Sequence, residues 1–185
     1  MLSQAAIDRH GGNRAALAQA LDLKPGQLLD ASASLAPVRA SVQLSVLHQC
    51  LLKDTLRDYP DRGQVALRHA IARIHGLDPD WVLPGNGAAE LFTWAGRDAS
   101  GAGVSALPSP GFADYQRALA CWQGAAVAWP LPVQSNGLEP QLLPSPPSAE
   151  VLWINNPHNP TGQLWSREAL SRLLAGHRLV ICDEA

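Results

Sequence analysis

Lysine is scarce in this sequence: Lys24 and Lys53 stand alone against twelve arginines, and 16 acidic side chains bring the formal net charge to -2. No run of Lys and Arg occurs, which removes the electrostatic footprint of a nucleic-acid binder. Cysteine is scarce too. Cys50, Cys121 and Cys182 lie far apart, a spacing that fits neither zinc ligation nor a small disulfide framework and predicts buried free thiols. No apolar run approaches the ~20 residues that span a bilayer, and residues 1–11 carry Asp8 and Arg9 with no apolar core of a signal segment. A soluble, cytoplasmic protein is expected, with neither nucleic acid nor membrane as a partner. What is plentiful is apolar: 46% of 185 residues, enough for roughly one compact domain with a real core.

From about residue 80 onward, strand and helix signals alternate. Residues 81–83 form a short apolar strand piece, and 86–97 read as a helix because Leu91, Phe92, Trp94 and Ala95 recur at helical spacing. Residues 101–107 suggest a strand, 112–122 a helix with Phe112, Tyr115, Leu119 and Trp122 on one face, and 125–129 a strand. A buried strand at 151–154, a helix at 166–175 opened by a Ser166 cap and a second buried strand at 179–182 follow. Such alternation predicts an α/β fold with a mostly parallel sheet covered on both faces. Residues 130–148, rich in Pro, Ser and Gln, read as a surface connection. Near the start, helices are expected at 13–21 and 42–57, joined by an extended or irregular stretch at 30–39. The expected division is an N-terminal arm with its helices over residues 1–60 and the N-terminal part of an α/β layer over 61–185, its sheet unfinished at Ala185.

Three segments carry chemistry. Pro84-Gly85-Asn86-Gly87-Ala88-Ala89-Glu90 follows the apolar piece and opens a helix. Its glycines let backbone approach a ligand, and the free N–H groups of a first helical turn favour an anion such as phosphate. A phosphate cradle and an ordinary strand-to-helix turn are both open on this segment alone. Asn155-Asn156-Pro157-His158-Asn159-Pro160-Thr161-Gly162 stands at the carboxyl end of a parallel strand, where open α/β sheets bind ligands. Asn159 there offers an amide that can donate to a phenolate oxygen, although turn-forming residues also collect for structural reasons. Asp183 follows the last buried strand, and a buried carboxylate needs a partner: a protonated ring nitrogen, a helix cap or an arginine. Together the three suit a single cofactor, pyridoxal 5'-phosphate. A nucleotide-binding domain fits poorly, because no lysine follows the glycine loop and the dinucleotide glycine spacing is missing.

The sequence resembles a known family at these same residues. Asn159-Pro160-Thr161-Gly162 resembles the NPTG signature of the class I/II aminotransferases, which are fold-type-I pyridoxal-phosphate enzymes, and Asp183-Glu184-Ala185 resembles their DEA signature. His10-Gly11-Gly12-Asn13, Tyr59-Pro60-Asp61 and Leu83-Pro84-Gly85-Asn86-Gly87 are most similar to the threonine-phosphate decarboxylase branch of cobalamin biosynthesis, a relative of the histidinol-phosphate aminotransferases. The likeness runs from about His10 to the last residue. It implies that Gly87, Ala88 and Ala89 present main-chain donors to the cofactor phosphate, that Asn159 bonds the ring phenolate and that Asp183 keeps the ring nitrogen protonated. Phe112 lies against the pyridine face by the same resemblance, with plain core packing as its alternative. Tyr59 is implied to reach the phosphate of a neighbouring subunit, which makes a homodimer the expected working form. His10 is implied near the substrate phosphate, with a surface or capping role as the alternative. The implied substrate is a phosphorylated amino acid, which loses carbon dioxide in one branch and exchanges its amino group in the other.

Three departures accompany the resemblance. The asparagines expected at Ser34 and Ala36 are absent, and Ala89 lacks the hydroxyl or acidic side chain often found in the phosphate loop. The largest is the Schiff-base lysine, which the family carries well beyond its DEA segment. Lys24 and Lys53 both precede the glycine loop and match no part of the lysine motif. The chain is therefore expected to be a truncated or split member, inactive alone, or else a non-catalytic remnant that serves only in binding or assembly.

Overall fold

The computed structural model describes residues 12–30, 41–52, 58–132 and 143–184. The chain divides into two compact units, Met1–Asp61 and Arg62–Ala185. In the first, α1 (Arg14–Ala20) begins where Asn13 Oδ1 accepts the Ala16 N–H at 3.2 Å, satisfying a donor that has no partner within the helix. A second helix, α2 (Ser41–Leu52), follows; residues 53–57, the end of the expected helix, lie outside the described residues, as do 31–40 of the link before it.

The second unit opens with α3 (Val65–His75), which ends at Gly76 in the left-handed region, φ +66°, with the Leu77 N–H donating to Ala72 O at 2.9 Å. Residues 81–83 are not a strand. Asp78 caps a single 3-10 turn over Pro79–Trp81 by accepting the Asp80 N–H, and the Arg68 guanidinium donates to the carbonyls of Pro79 and Val82. Those carbonyls are then taken by a side chain rather than by a neighbouring strand. Next come α4 (Ala88–Ala102), β1 (Ser105–Ser109), α5 (Asp114–Ala120), β2 (Ala126–Pro130), β3 (Val151–Asn155), α6 (Arg167–Gly176) and β4 (Leu179–Asp183). All strand pairs are parallel, in the order β2-β1-β3-β4. The expected α/β architecture with a parallel sheet is what the chain adopts.

Chain order and spatial order part company at β1. From β1 the chain steps outward to β2, then returns to the other side of β1 for β3 and continues to β4. Right-handed crossovers that move in opposite directions place their helices on opposite faces, and two cores result. On one face Phe92 and Ala99 of α4 and Tyr115, Ala118 and Leu119 of α5 pack on Leu107, Val151 and Trp153. On the other, Trp165 and Leu173 pack on Ala106, Leu152 and Ile154. All five residues of β3 are buried, as a strand covered on both faces requires.

Helix α4 runs five residues past its expected end, and β1 starts correspondingly later. The extension is built of small residues. Gly96 and Ala99 continue the buried stripe that Phe92 begins, and a Cβ on Gly96 would lie 2.6 Å from the carbonyl oxygen of Ala118 in α5. The helix ends at Gly103, φ +145°. Conversely, α5 is shorter than expected, since Gln123 turns to φ +56° and the Gly124 N–H closes back on Leu119 O at 2.9 Å. The cysteines also differ from expectation: Cys121 and Cys182 are exposed and Cys50 is half-buried. Cys121 caps the end of α5, and Cys182 sits on β4 at an edge of the described sheet. Among the described residues, no helix is long and apolar enough to cross a membrane.

Because backbone rather than a movable side chain faces Gly96, Gly96→Ala must push α4 and α5 apart. We expect a loss of about 1–3 kcal/mol, read as a lower urea midpoint with an unchanged slope.

Candidate functional site

In an open parallel sheet, strands that diverge in chain order leave a crevice beyond their carboxyl ends. Here that point lies between β1 and β3, and it collects the segments 110–112, 156–162 and 183. Helix α4 contributes from the other direction. Only Gly103 and Val104 separate it from β1, so it runs antiparallel to that strand and its first turn returns to the same edge.

That first turn is shaped by its neighbours. Gly87 precedes it at φ +83° with nothing within 4 Å of where a Cβ would stand, a conformation that glycine adopts without strain. Glu90 reaches back to accept the Asn86 N–H at 2.5 Å and the Asn86 side-chain amide at 3.1 Å, and the backbone bond holds its carboxyl below the usual carboxylate range. Arg117 ties α5 to the turn: paired with Asp114, it donates through Nη2 to Ala89 O at 2.9 Å and through Nη1 to Thr93 Oγ1 at 3.1 Å. Gly87, Ala88 and Ala89 are all exposed.

The strand ends are joined by an aromatic chain. Phe112, half-buried, meets Phe92 edge-on at 6.1 Å and Tyr115 at 5.6 Å between ring centroids. Tyr115 is 1% exposed, lies 5.1 Å from the Trp153 ring and donates its hydroxyl to Asp183 Oδ2 at 2.7 Å. Burial, and then the Asp183 carboxylate, push the Tyr115 phenol far above its ordinary range. Asp183 is paired in register with Asn155 across β3 and β4, and its carbonyl accepts the Asn156 N–H at 2.8 Å. Asn156 in turn exchanges bonds with Trp165, accepting its N–H at 2.9 Å and donating to its carbonyl at 3.2 Å. Asn159 is exposed in this loop, where Asn156–Pro157 and Asn159–Pro160 are cis, as is Ser109–Pro110 at the end of β1.

Gly87, Ala88, Ala89, Phe112, Asn159 and Asp183 therefore share one edge of the sheet. Tyr59 belongs to the first unit and is 99% exposed; His10, Ser34 and Ala36 lie outside the described residues. Tyr115, His158 and Arg117 bond to this edge as well, and the sequence alone did not mark them. Tyr115 reads as one more apolar position on a helix face, and the partner of its hydroxyl is 68 positions away.

Comparison with known proteins bears on this edge. The family profile described as "Aminotransferase class I and II" matches residues 18–185. The chain belongs to the class I and II aminotransferase family. It is 34% identical over 170 residues to threonine-phosphate decarboxylase of Salmonella typhimurium, covering 89% of this chain and 45% of that protein. It is 38% identical over 142 residues to histidinol-phosphate aminotransferase of Sphingopyxis alaskensis, covering 71% and 37%. The structure of histidinol-phosphate aminotransferase from Sinorhizobium meliloti, solved in complex with pyridoxal-5'-phosphate, superposes with a TM-score of 0.62 at 23% identity over 79% of this chain and 40% of that one. The fold is thus that of the family's pyridoxal-phosphate enzymes, and the chain spans less than half the length of these curated relatives.

Two outcomes are expected of the aminotransferase-family edge in solution. Tyr115→Phe removes the hydrogen bond to a carboxylate that is only half-buried and is able to hydrate, so stability should fall by about 1–2 kcal/mol in chemical denaturation. His158 supplies the second, through pH. Burial lowers its pKa below the ordinary 6.5, against a smaller opposing effect of the Pro110 carbonyl. The unfolded chain then takes up a proton before the folded one, so this contribution is complete above about pH 6.5 and is lost as pH falls through the lower folded value. Urea midpoints measured across that window should fall, and His158→Gln should flatten the decline.

Proposed function

We propose that the chain is the cofactor-holding part of a pyridoxal-phosphate enzyme that acts on a phosphorylated amino acid, in the manner of threonine-phosphate decarboxylase. What supports this reading is that the first turn of α4, Phe112 after β1, the loop of Asn159 after β3 and Asp183 at the end of β4 all lie toward the carboxyl ends of the parallel strands, with Asp183 held by Tyr115. When bound, pyridoxal phosphate supplies an electron-withdrawing ring that stabilises negative charge on the substrate α-carbon.

The donor set suits that group. The first turn of α4 has N–H groups without helical partners, and Gly87 leaves the space before them open; residues 87–89 bind the phosphate through these N–H groups and the positive end of the helix. Phe112 covers one face of the ring and excludes water there. Asn159 donates its amide to the phenolate oxygen. Asp183 would hold a proton at the ring nitrogen, with Tyr115 fixing the carboxylate through Oδ2. Tyr59 serves the phosphate of a partner subunit in a cytoplasmic homodimer, and His10 meets the substrate phosphate. With the group held by these residues, the chemistry it would supply is loss of carbon dioxide in the decarboxylase branch and amino-group exchange in the histidinol-phosphate aminotransferase branch.

Neither Lys24 nor Lys53 belongs to these motifs, so the 185-residue chain by itself binds the cofactor reversibly and does not turn over substrate. A second reading is that the chain acts only in binding or assembly. Titration with pyridoxal phosphate, followed by tryptophan quenching, separates the two. Saturable binding is expected, weakened roughly tenfold or more in Asp183→Ala by loss of a charged hydrogen bond, and borohydride should trap no adduct at a single lysine. Absence of saturation overturns the cofactor reading; a specific lysine adduct with release of carbon dioxide from threonine phosphate overturns the inactivity.

A further inference from the structure

His158 follows β3 and is 1% exposed, with both ring nitrogens engaged. Its Nε2 lies 3.1 Å from the Pro110 carbonyl oxygen, a group that only accepts, so Nε2 carries a proton. Its Nδ1 lies 2.7 Å from Thr161 Oγ1. The Thr161 hydroxyl has one proton to give, and Gln163 competes for it with Oε1 at 2.7 Å. Gln163 is fully buried, yet its amide nitrogen has no partner.

In that arrangement the Thr161 proton goes to Gln163, and Nδ1 must also be a donor. His158 is then an imidazolium, although among the described residues it stands in no ion pair. A buried cation without a counter-charge is costly, and the ring's surroundings favour the neutral form. Turning the Gln163 side-chain amide by half a turn, which exchanges its donor and acceptor while leaving its shape unchanged, removes the conflict. Nε2 of Gln163 donates to Thr161, Thr161 donates to His158 Nδ1, and His158 Nε2 donates to Pro110. The group left over is then a carbonyl oxygen, a commoner omission than an orphaned N–H.

We propose that Gln163, Thr161, His158 and Pro110 form a one-way chain of donors that fixes His158 as the neutral Nε2–H tautomer and straps the segment bearing Asn159 to the segment bearing Phe112. His158 is a positioning residue. The proposal deepens the functional reading above and rests on it for its meaning, since those two segments carry the amide and the ring assigned to the cofactor.

Nitrogen-15 NMR of the full chain labelled at histidine, at about pH 7.5, tests it. The expected His158 signal has a protonated Nε2 and a bare Nδ1; a doubly protonated ring or an Nδ1–H ring in the unsubstituted chain overturns the proposal without any variant. Thr161→Val should leave Nε2 protonated, since the Pro110 carbonyl still accepts from it, but shift the resonance of the bare Nδ1, which loses its donor. It should also speed amide exchange at His158 and Gly162, whose N–H groups close this loop, by about three- to tenfold, the ordinary worth of one hydrogen bond. Thr161→Ser should restore both. A Thr161→Val chain with an unchanged Nδ1 resonance and unchanged exchange also overturns the proposal. Pyridoxal phosphate titrated into the same samples keeps the two readings apart: the expected tautomer without saturable binding defeats the cofactor reading and leaves the strap standing. Weaker binding in Thr161→Val that Thr161→Ser recovers supports both.

Discussion

Val151–Asn155 of β3 has no face turned to solvent, and both of its edges are paired, with β1 on one side and β4 on the other. Every polar atom at its end must therefore find a protein partner or a ligand. Some do. The Trp165 indole donates to Asn155 O at 3.2 Å, and the Asn156 N–H reaches Asp183 O. The Asn155 side-chain oxygen is buried without a hydrogen-bond partner. A strand so confined fixes where the following loop begins, and with it the direction in which Asn159 leaves the sheet.

The same confinement explains why the edge is chemically dense. Three loops emerge within a few strand widths of one another, and strands in a sheet are spaced only about 4.8 Å apart. Rigidity comes from aromatic packing behind the edge: Phe92, Phe112, Tyr115 and Trp153 contact one another in sequence. Tyr115 is the hinge between that apolar cluster and the polar rim, with its ring among the aromatics and its hydroxyl on Asp183. Family membership and this construction point the same way, since a shared fold needs a particular site before it implies a particular chemistry.

Much of this was legible in the sequence. The continuous apolar run at 151–154, the Ser166 cap and the buried run at 179–182 gave β3, β4 and α6 nearly residue for residue, because each signal is local. Resemblance at Asn159–Gly162 and Asp183 drew attention to the loops that meet at the edge. Elsewhere the decisive partner was distant or small. Residues 81–83 are as apolar as a strand, but Arg68 claims the carbonyls around them. The second half of α4 buries Gly96 and Ala99, which carry little hydrophobic signal. Helix α3, unassigned from the sequence, buries only Ala72 fully and leaves Val65, Leu67 and Ile74 exposed. His158 resembles a turn residue until Pro110, 48 positions earlier, is found against its ring.

The narrow seam between α4 and α5 has a bearing beyond packing. Gly96 lies eight residues from Ala88, about 12 Å along the axis at the rise of an α-helix. A rod pivoting at one end swings most at the other. Any added bulk at the seam therefore re-aims the N–H groups of the opening turn, with Arg117 the nearby stay that resists the swing. Lesions far from the crevice would then register first at that opening turn, well before the domain comes apart.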